Sequence, residues 1–198
     1  MIWLARHGQT EWNKGGRWQG HLDSPLTNEG WASAEALARF ASLADIDAVA
    51  CSPLGRARDT AGVSAAVGVP LIVIDELAEM DHGRMAGLTG EEAGARFSGE
   101  LASRENDKYR WRFPGGESYA DVDTRARSAL RRIDLLDARR VLVVSHEMIG
   151  RMLLHALSDV SLADALHSRQ PHNVVYEIEL AIKQVARISL DEEVRYRG

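Results

Sequence analysis

Val141-Leu142-Val143-Val144-Ser145-His146 is the stretch on which the reading of this chain turns. Four aliphatic residues in a row, with no polar break, predict a strand buried on both faces, as in the middle of a parallel sheet. The run stops at a hydroxyl and an imidazole. Three shorter runs repeat the theme elsewhere: Ile2–Ala5, which ends at Arg6-His7, then Asp47–Cys51 and Leu71–Ile74. Helical patterns lie between them. Thr27 caps a stripe of Ala34, Leu37, Ala38 and Ala41, and Ser52-Pro53 reads as a helix start with Ser as cap and Pro in the first position. Tyr119, Val122, Ala126, Ala129, Ile133 and Leu136 mark a long amphipathic helix, and Ile149, Met152, Leu153 and Ala156 mark another. Asn13–Ser24 is loop-like, Gly99–Gly116 reads as an irregular polar and aromatic excursion, and Val174–Leu180 with Gln184–Leu190 suggests a closing hairpin. This alternation predicts a three-layer α/β/α sandwich with a mostly parallel central sheet. No repeat or linker divides the chain, so one domain is expected over residues 1–198.

The composition narrows the function classes. With 198 residues, 45% hydrophobic and 27% charged, the chain can bury a full core. A net charge of −5 gives no bulk attraction to nucleic acid or an anionic membrane, so neither is an expected partner. An anionic ligand would need a local cluster of cations. The lone cysteine, Cys51, rules out an internal disulfide framework and fits a reducing, cytoplasmic setting. The apolar opening Met1–Ala5 meets Arg6 and His7 too early for a signal-peptide core or a spanning helix. No metal-ligand spacing is present, and no cofactor is expected.

The chemistry-bearing residues share one kind of position. His7 and His146 each follow a strand, Arg6 precedes the first, Arg56 lies one turn into the helix after the second strand, and Glu79 follows the third. In open α/β sheets, ligands bind beyond the carboxyl ends of the strands. Two imidazoles, two guanidiniums and a carboxylate gathered there would suit a dianionic phosphoryl group. Phosphoryl transfer needs positioning and charge compensation. Arginine forks bind paired oxygens, imidazole is a nucleophile at neutral pH, and a carboxyl group can move a proton. Each residue alone has an ordinary structural reading; only their convergence would make a site.

The local contexts carry a resemblance. Leu4-Ala5-Arg6-His7-Gly8-Gln9-Thr10-Glu11-Trp12-Asn13 resembles the Arg-His-Gly signature of the histidine phosphatase superfamily, the phosphoglycerate mutase-like proteins. Four further stretches match in order: Asp23-Ser24-Pro25-Leu26-Thr27, Ser52-Pro53-Leu54-Gly55-Arg56-Ala57, Leu77-Ala78-Glu79, and Val143-Val144-Ser145-His146. The resemblance implies a nucleophilic His7 that becomes phosphohistidine, with Arg6, Arg56 and His146 on the phosphoryl oxygens. It implies Glu79 as acid for the leaving group and base for water, Asn13 touching phosphate, and Gln19-Gly20 lining the pocket. It also implies no metal, and a homodimer is no more than a family-based expectation. One departure stands out: Glu147 occupies a position where the family usually has glycine. A carboxylate there would repel a dianion unless it points away or pairs with Arg151 one turn on.

The resemblance favours the phosphatase branch, acting on a small phosphorylated metabolite. Family mutases carry longer segments over the site. A non-catalytic phosphate-binding module would be expected to lack one of His7, Arg56, His146 or Glu79. The excursion admits two readings. Tyr109, Arg110, Trp111 and Arg112 form a specificity lid, or Trp111 and Phe113 pin a surface loop. Trp3, Trp12, Trp18 and Trp31 are read mostly as packing, His82 and Arg84 as rim or surface, and Gln170-Pro171-His172-Asn173 as a segment before the closing strand that either approaches the pocket or, the favoured reading, stays outside it.

Overall fold

The computed structural model describes residues 1–66 and 68–191. Its centre is a six-stranded sheet in the order β3-β2-β4-β1-β5-β6. The first four of these, β1 (Ile2–Arg6), β2 (Ala48–Cys51), β3 (Leu71–Val73) and β4 (Val141–Ser145), run parallel; β5 (Val174–Glu179) and β6 (Gln184–Ser189) form an antiparallel hairpin beside β1. The run that opened the sequence analysis, β4, lies between β1 and β2 and is buried throughout.

The side-chain alternation of the strands builds two cores, one on each face. Ile2, Leu4, Val141 and Val143 pack beneath α6 (Tyr119–Asp134), α7 (Glu147–Leu157) and α8 (Leu162–His167). Trp3, Ala5, Leu142 and Val144 pack beneath α2 (Asn28–Leu43) and α3 (Gly55–Ala65). Each large aliphatic side chain buried here contributes about 1.5–3 kcal/mol. The expected three-layer α/β/α arrangement is what forms. Trp31, expected to pack, is instead 42% exposed. Among the described residues, no helix is long and apolar enough to cross a membrane.

Several local expectations need correction. The stretch Asn13–Ser24, expected as loop, begins inside a short helix, α1 (Glu11–Lys14), which carries a reciprocal cap between Thr10 and Asn13. The excursion at 99–116 is partly regular. After α4 (Gly90–Arg96) comes α5 (Ser98–Arg104), and only the stretch beyond it is irregular. Ser52 does not cap α3, which starts at Gly55. Its first N–H groups go instead to Asp23, with Gly55 N donating to Oδ2 at 2.7 Å and Arg56 N to Oδ1 at 3.4 Å. The Ser52 hydroxyl accepts from Leu54 N at 3.2 Å and lies 2.7 Å from His146 Nε2.

Candidate active site

The parallel strands deliver their next residues to one edge. β1 hands over to His7, β2 to Ser52 and β4 to His146. The His7 ring is almost fully buried, and its Nδ1 lies 2.7 Å from the Gly8 carbonyl oxygen. A carbonyl can only accept, so Nδ1 carries the proton and Nε2 keeps its lone pair. That lone pair faces Nε of Arg56 at 3.3 Å. Burial, and then the charges of Arg6 and Arg56, hold His7 well below the ordinary imidazole pKa, so the ring stays neutral. Gly8, next to His7, packs directly on the chain at Gly30, and a Cβ there would overlap the Gly30 carbonyl.

Arg56 is aimed by the loop opposite. Its Nη1 donates to Leu22 O at 2.8 Å and Asp23 Oδ1 at 2.7 Å, and its Nη2 donates to Gly20 O at 2.9 Å. These bonds leave Nε as the group turned toward His7. The His146 ring centroid lies 5.1 Å from that of His7. His146 Nε2 is 2.7 Å from Ser52 Oγ, and its buried Nδ1 has no partner. Burial and Arg56 hold this imidazole too well below its ordinary pKa. Glu79 accepts from Met80 N at 2.8 Å, Ile149 N at 3.1 Å and Met148 N at 3.2 Å. Three backbone donors therefore fix its carboxylate at the start of α7.

Arg6, His7, Asn13, Gln19, Gly20, Arg56, Glu79 and Glu147 line one pocket of about 220 Å³. His146 is buried beside His7 rather than in the lining. Glu147 bonds Arg151 at 2.7 Å, one of the two arrangements its carboxylate allowed. It also bonds Nη1 of Arg6 at 2.6 Å, a bridge that no sequence pattern indicates. Among the described residues, no group of three or more His, Cys, Asp or Glu side chains is placed to share a metal ion. A larger groove of about 340 Å³, lined by residues including Ile2, Leu130, Val141 and Leu157, contains no histidine.

Sequence reasoning missed part of the wall. His172, in the segment that could approach the pocket, lies behind His7 rather than in the lining, with its ring centroid 5.4 Å from that of His7 and its Nδ1 donating to the His7 carbonyl at 2.5 Å. The cause is the antiparallel pairing of Ala5 with Val175, which brings the residues before β5 to the carboxyl end of β1. His82 is buried and lines the pocket, stacked on Phe113 at 4.5 Å and set edge-on to Trp18 at 6.1 Å. Arg84 is exposed. Arg17, Trp18 and Met148 complete the wall. The lid residues do not. Trp111 donates to Glu100 O and packs edge-on to Phe113, while Arg110 pairs with Asp107 and Arg112 with Asp121. The pinned-loop reading is the one the contacts support.

Comparison with known proteins identifies the family. The profile of the histidine phosphatase superfamily (branch 1) matches residues 2–188. The chain belongs to this superfamily. Phosphoserine phosphatase 1 of Hydrogenobacter thermophilus is 30% identical over 191 residues, covering 89% of this chain and 90% of that protein. The 6-phosphofructo-2-kinase/fructose-2,6-bisphosphatase of Gallus gallus is 35% identical over 179 residues, where the match takes 89% of this chain but 37% of the longer protein. Among solved structures, mycobacterial glucosyl-3-phosphoglycerate phosphatase in complex with VO3 superposes with a TM-score of 0.77 at 29% identity, covering 89% of this chain and 92% of that one.

Proposed function

We propose that the protein hydrolyses small phosphomonoesters without a metal ion, through a phosphoryl group carried on Nε2 of His7. The observation that carries this reading is the tautomer. Nδ1–H is tied to the Gly8 carbonyl, so the lone pair of a neutral, buried imidazole points into a cleft beside Arg56. Arg6 and Arg56 compensate the equatorial oxygens, His146 supplies an N–H, and the side-chain amide of Asn13 donates, because its Oδ1 is already engaged by Thr10. Nε2 forms a bond to phosphorus as the ester oxygen departs, taking a proton from the Glu79 carboxyl group. The Glu79 carboxylate then takes a proton from water, the resulting hydroxide attacks phosphorus, and the P–N bond breaks to restore neutral His7.

Hydrolysis is preferred to mutase chemistry because relatives matched over most of this chain are named as phosphatases. The test is turnover of an aryl phosphate in excess chelator, comparing wild type with His7→Ala. The expected result is turnover by the wild type and a loss on the order of 10³-fold or more in the variant. Full activity in His7→Ala would remove the proposed nucleophile. An inert wild type that interconverts phosphoglycerates would favour the mutase reading.

A further inference from the structure

The pocket contains cations, yet each one is already matched by a carboxylate. Among the described residues its lining holds three arginines. Arg6 is bonded by Glu147 at 2.6 Å, Arg56 by Asp23 at 2.7 Å and Arg17 by Glu92 at 2.9 Å. The lining also includes two carboxyl groups of its own, Glu79 and Glu147. Its histidines add no charge at neutral pH, since burial holds His7 well below the ordinary value and His82 down to about 4. One dianionic phosphoryl group can be held by Arg6 and Arg56, and no unmatched cation is left for a second anion.

Glu147 shapes both halves of this arrangement. With one oxygen on Arg151 and the other on Nη1 of Arg6, it ties the two guanidiniums together, and Nη1 also donates to Gln170 O at 3.3 Å. The hydrogen bonds of Arg6 thus run through Nη1, while its buried Nε has no partner and remains for a phosphoryl oxygen. The same carboxylate, shared between two arginines, still presents free lone pairs as acceptors on the pocket wall. Gln19 adds a second acceptor. Its Nε2 donates to Thr10 Oγ1 at 2.8 Å, and its Oε1 is buried with no partner, in a side chain only 5% exposed. A buried acceptor without a donor is costly unless a ligand supplies one.

Building on the phosphatase reading, we infer that Glu147 and Gln19 select a leaving group that donates hydrogen bonds and carries no second anion. A neutral, hydroxyl-bearing alcohol of the polyol type fits. Its O–H groups can donate to Gln19 Oε1 and to a free lone pair of Glu147, whereas a carboxylate or second phosphate there meets acceptors and finds no cation without a carboxylate partner.

The experiment compares glycerol 3-phosphate with 3-phosphoglycerate, two substrates of similar size that differ in a hydroxymethyl group against a carboxylate. Both are measured in chelator alongside an aryl phosphate, for wild type, Glu147→Gln and Gln19→Leu. The wild type is expected to favour glycerol 3-phosphate by about tenfold or more in kcat/KM. Glu147→Gln should narrow that ratio mainly by lowering KM for 3-phosphoglycerate, a change that simple loss of folded protein would not produce. Gln19→Leu should raise KM for glycerol 3-phosphate more than for the aryl ester. If wild type cleaves the aryl phosphate and uses both substrates equally, the inference fails while the phosphatase reading stands. If the preference survives unchanged in Glu147→Gln, the role given to Glu147 is wrong. If wild type cleaves none of the three, the phosphatase reading falls and the inference with it.

Discussion

His82→Phe should make the protein less sensitive to acid, and the size of the effect follows from the site. The His82 imidazole is 6% exposed, stacks on Phe113 at 4.5 Å and lies edge-on to Trp18. Its Nδ1 has no partner, and Nε2 meets only the Met148 sulfur at 3.3 Å. Burial is the largest influence and lowers its pKa from 6.5 to about 4; Glu79 and Asp81 oppose this weakly, and Arg56 and His21 add to it. The native ring therefore stays neutral while the unfolded chain takes up a proton below 6.5. Stability is unaffected by this group above pH 6.5, falls as pH drops toward 4, and is fully reduced below that. At pH 5 the unfolded imidazole has been protonated over roughly 1.5 pH units, which costs the native state about 2 kcal/mol. Phenylalanine keeps the stack and removes the titration. Urea unfolding at pH 7 and pH 5 would measure this. The two proteins should lie within about 1 kcal/mol of each other at pH 7. From pH 7 to pH 5 the wild-type midpoint should fall by about 1 M urea more than that of the variant. His7, His146 and His172 titrate in both proteins and cancel in the comparison. Parallel shifts in the two midpoints would refute the idea that burial keeps His82 uncharged.

Gly30→Ala would place a Cβ on the Gln9 carbonyl oxygen, and Gly8→Ala would place one on the Gly30 carbonyl. Each should cost about 3 kcal/mol or more, and calorimetry should record a melting temperature lower by at least about 6 °C. Ser52→Ala removes the hydroxyl at 2.7 Å from His146 Nε2, so stability should drop by about 1–3 kcal/mol and kcat/KM by about tenfold, read by denaturation and steady-state kinetics. Arg110→Ala and Arg112→Ala alter side chains paired to Asp107 and Asp121 away from the pocket, and kcat/KM across a substrate panel should stay within about twofold of wild type.

What the sequence made legible follows the physics of the parallel sheet. Continuous apolar runs such as Val141–Val144 mark strands buried on both faces, and their carboxyl ends fall on one edge by topology alone. Hence Arg6, His7, Arg56, Glu79 and His146 could be brought together on paper, and five ordered motifs supported the grouping. Contacts set by strand direction or by side-chain reach were harder to read. His172 reaches His7 only because β5 runs antiparallel to β1, and nothing in Gln170–Asn173 encodes that direction. Ser52 looked like a helix cap because Ser-Pro is a good helix start, yet Asp23, far away in sequence, takes that task. Glu147 showed itself as a departure from glycine, and its double bridge to Arg6 and Arg151 depends on rotamers that no pattern specifies.

The central claim is that phosphorus is bonded to His7 during turnover. The direct measurement is rapid alkaline quenching of the enzyme during turnover of an aryl phosphate, followed by peptide mapping by mass spectrometry. One added phosphoryl group is expected on the peptide containing His7, lost on acid treatment and absent in His7→Ala. A phosphoryl group found on another residue, or turnover at full rate with His7 unmodified throughout, would contradict it.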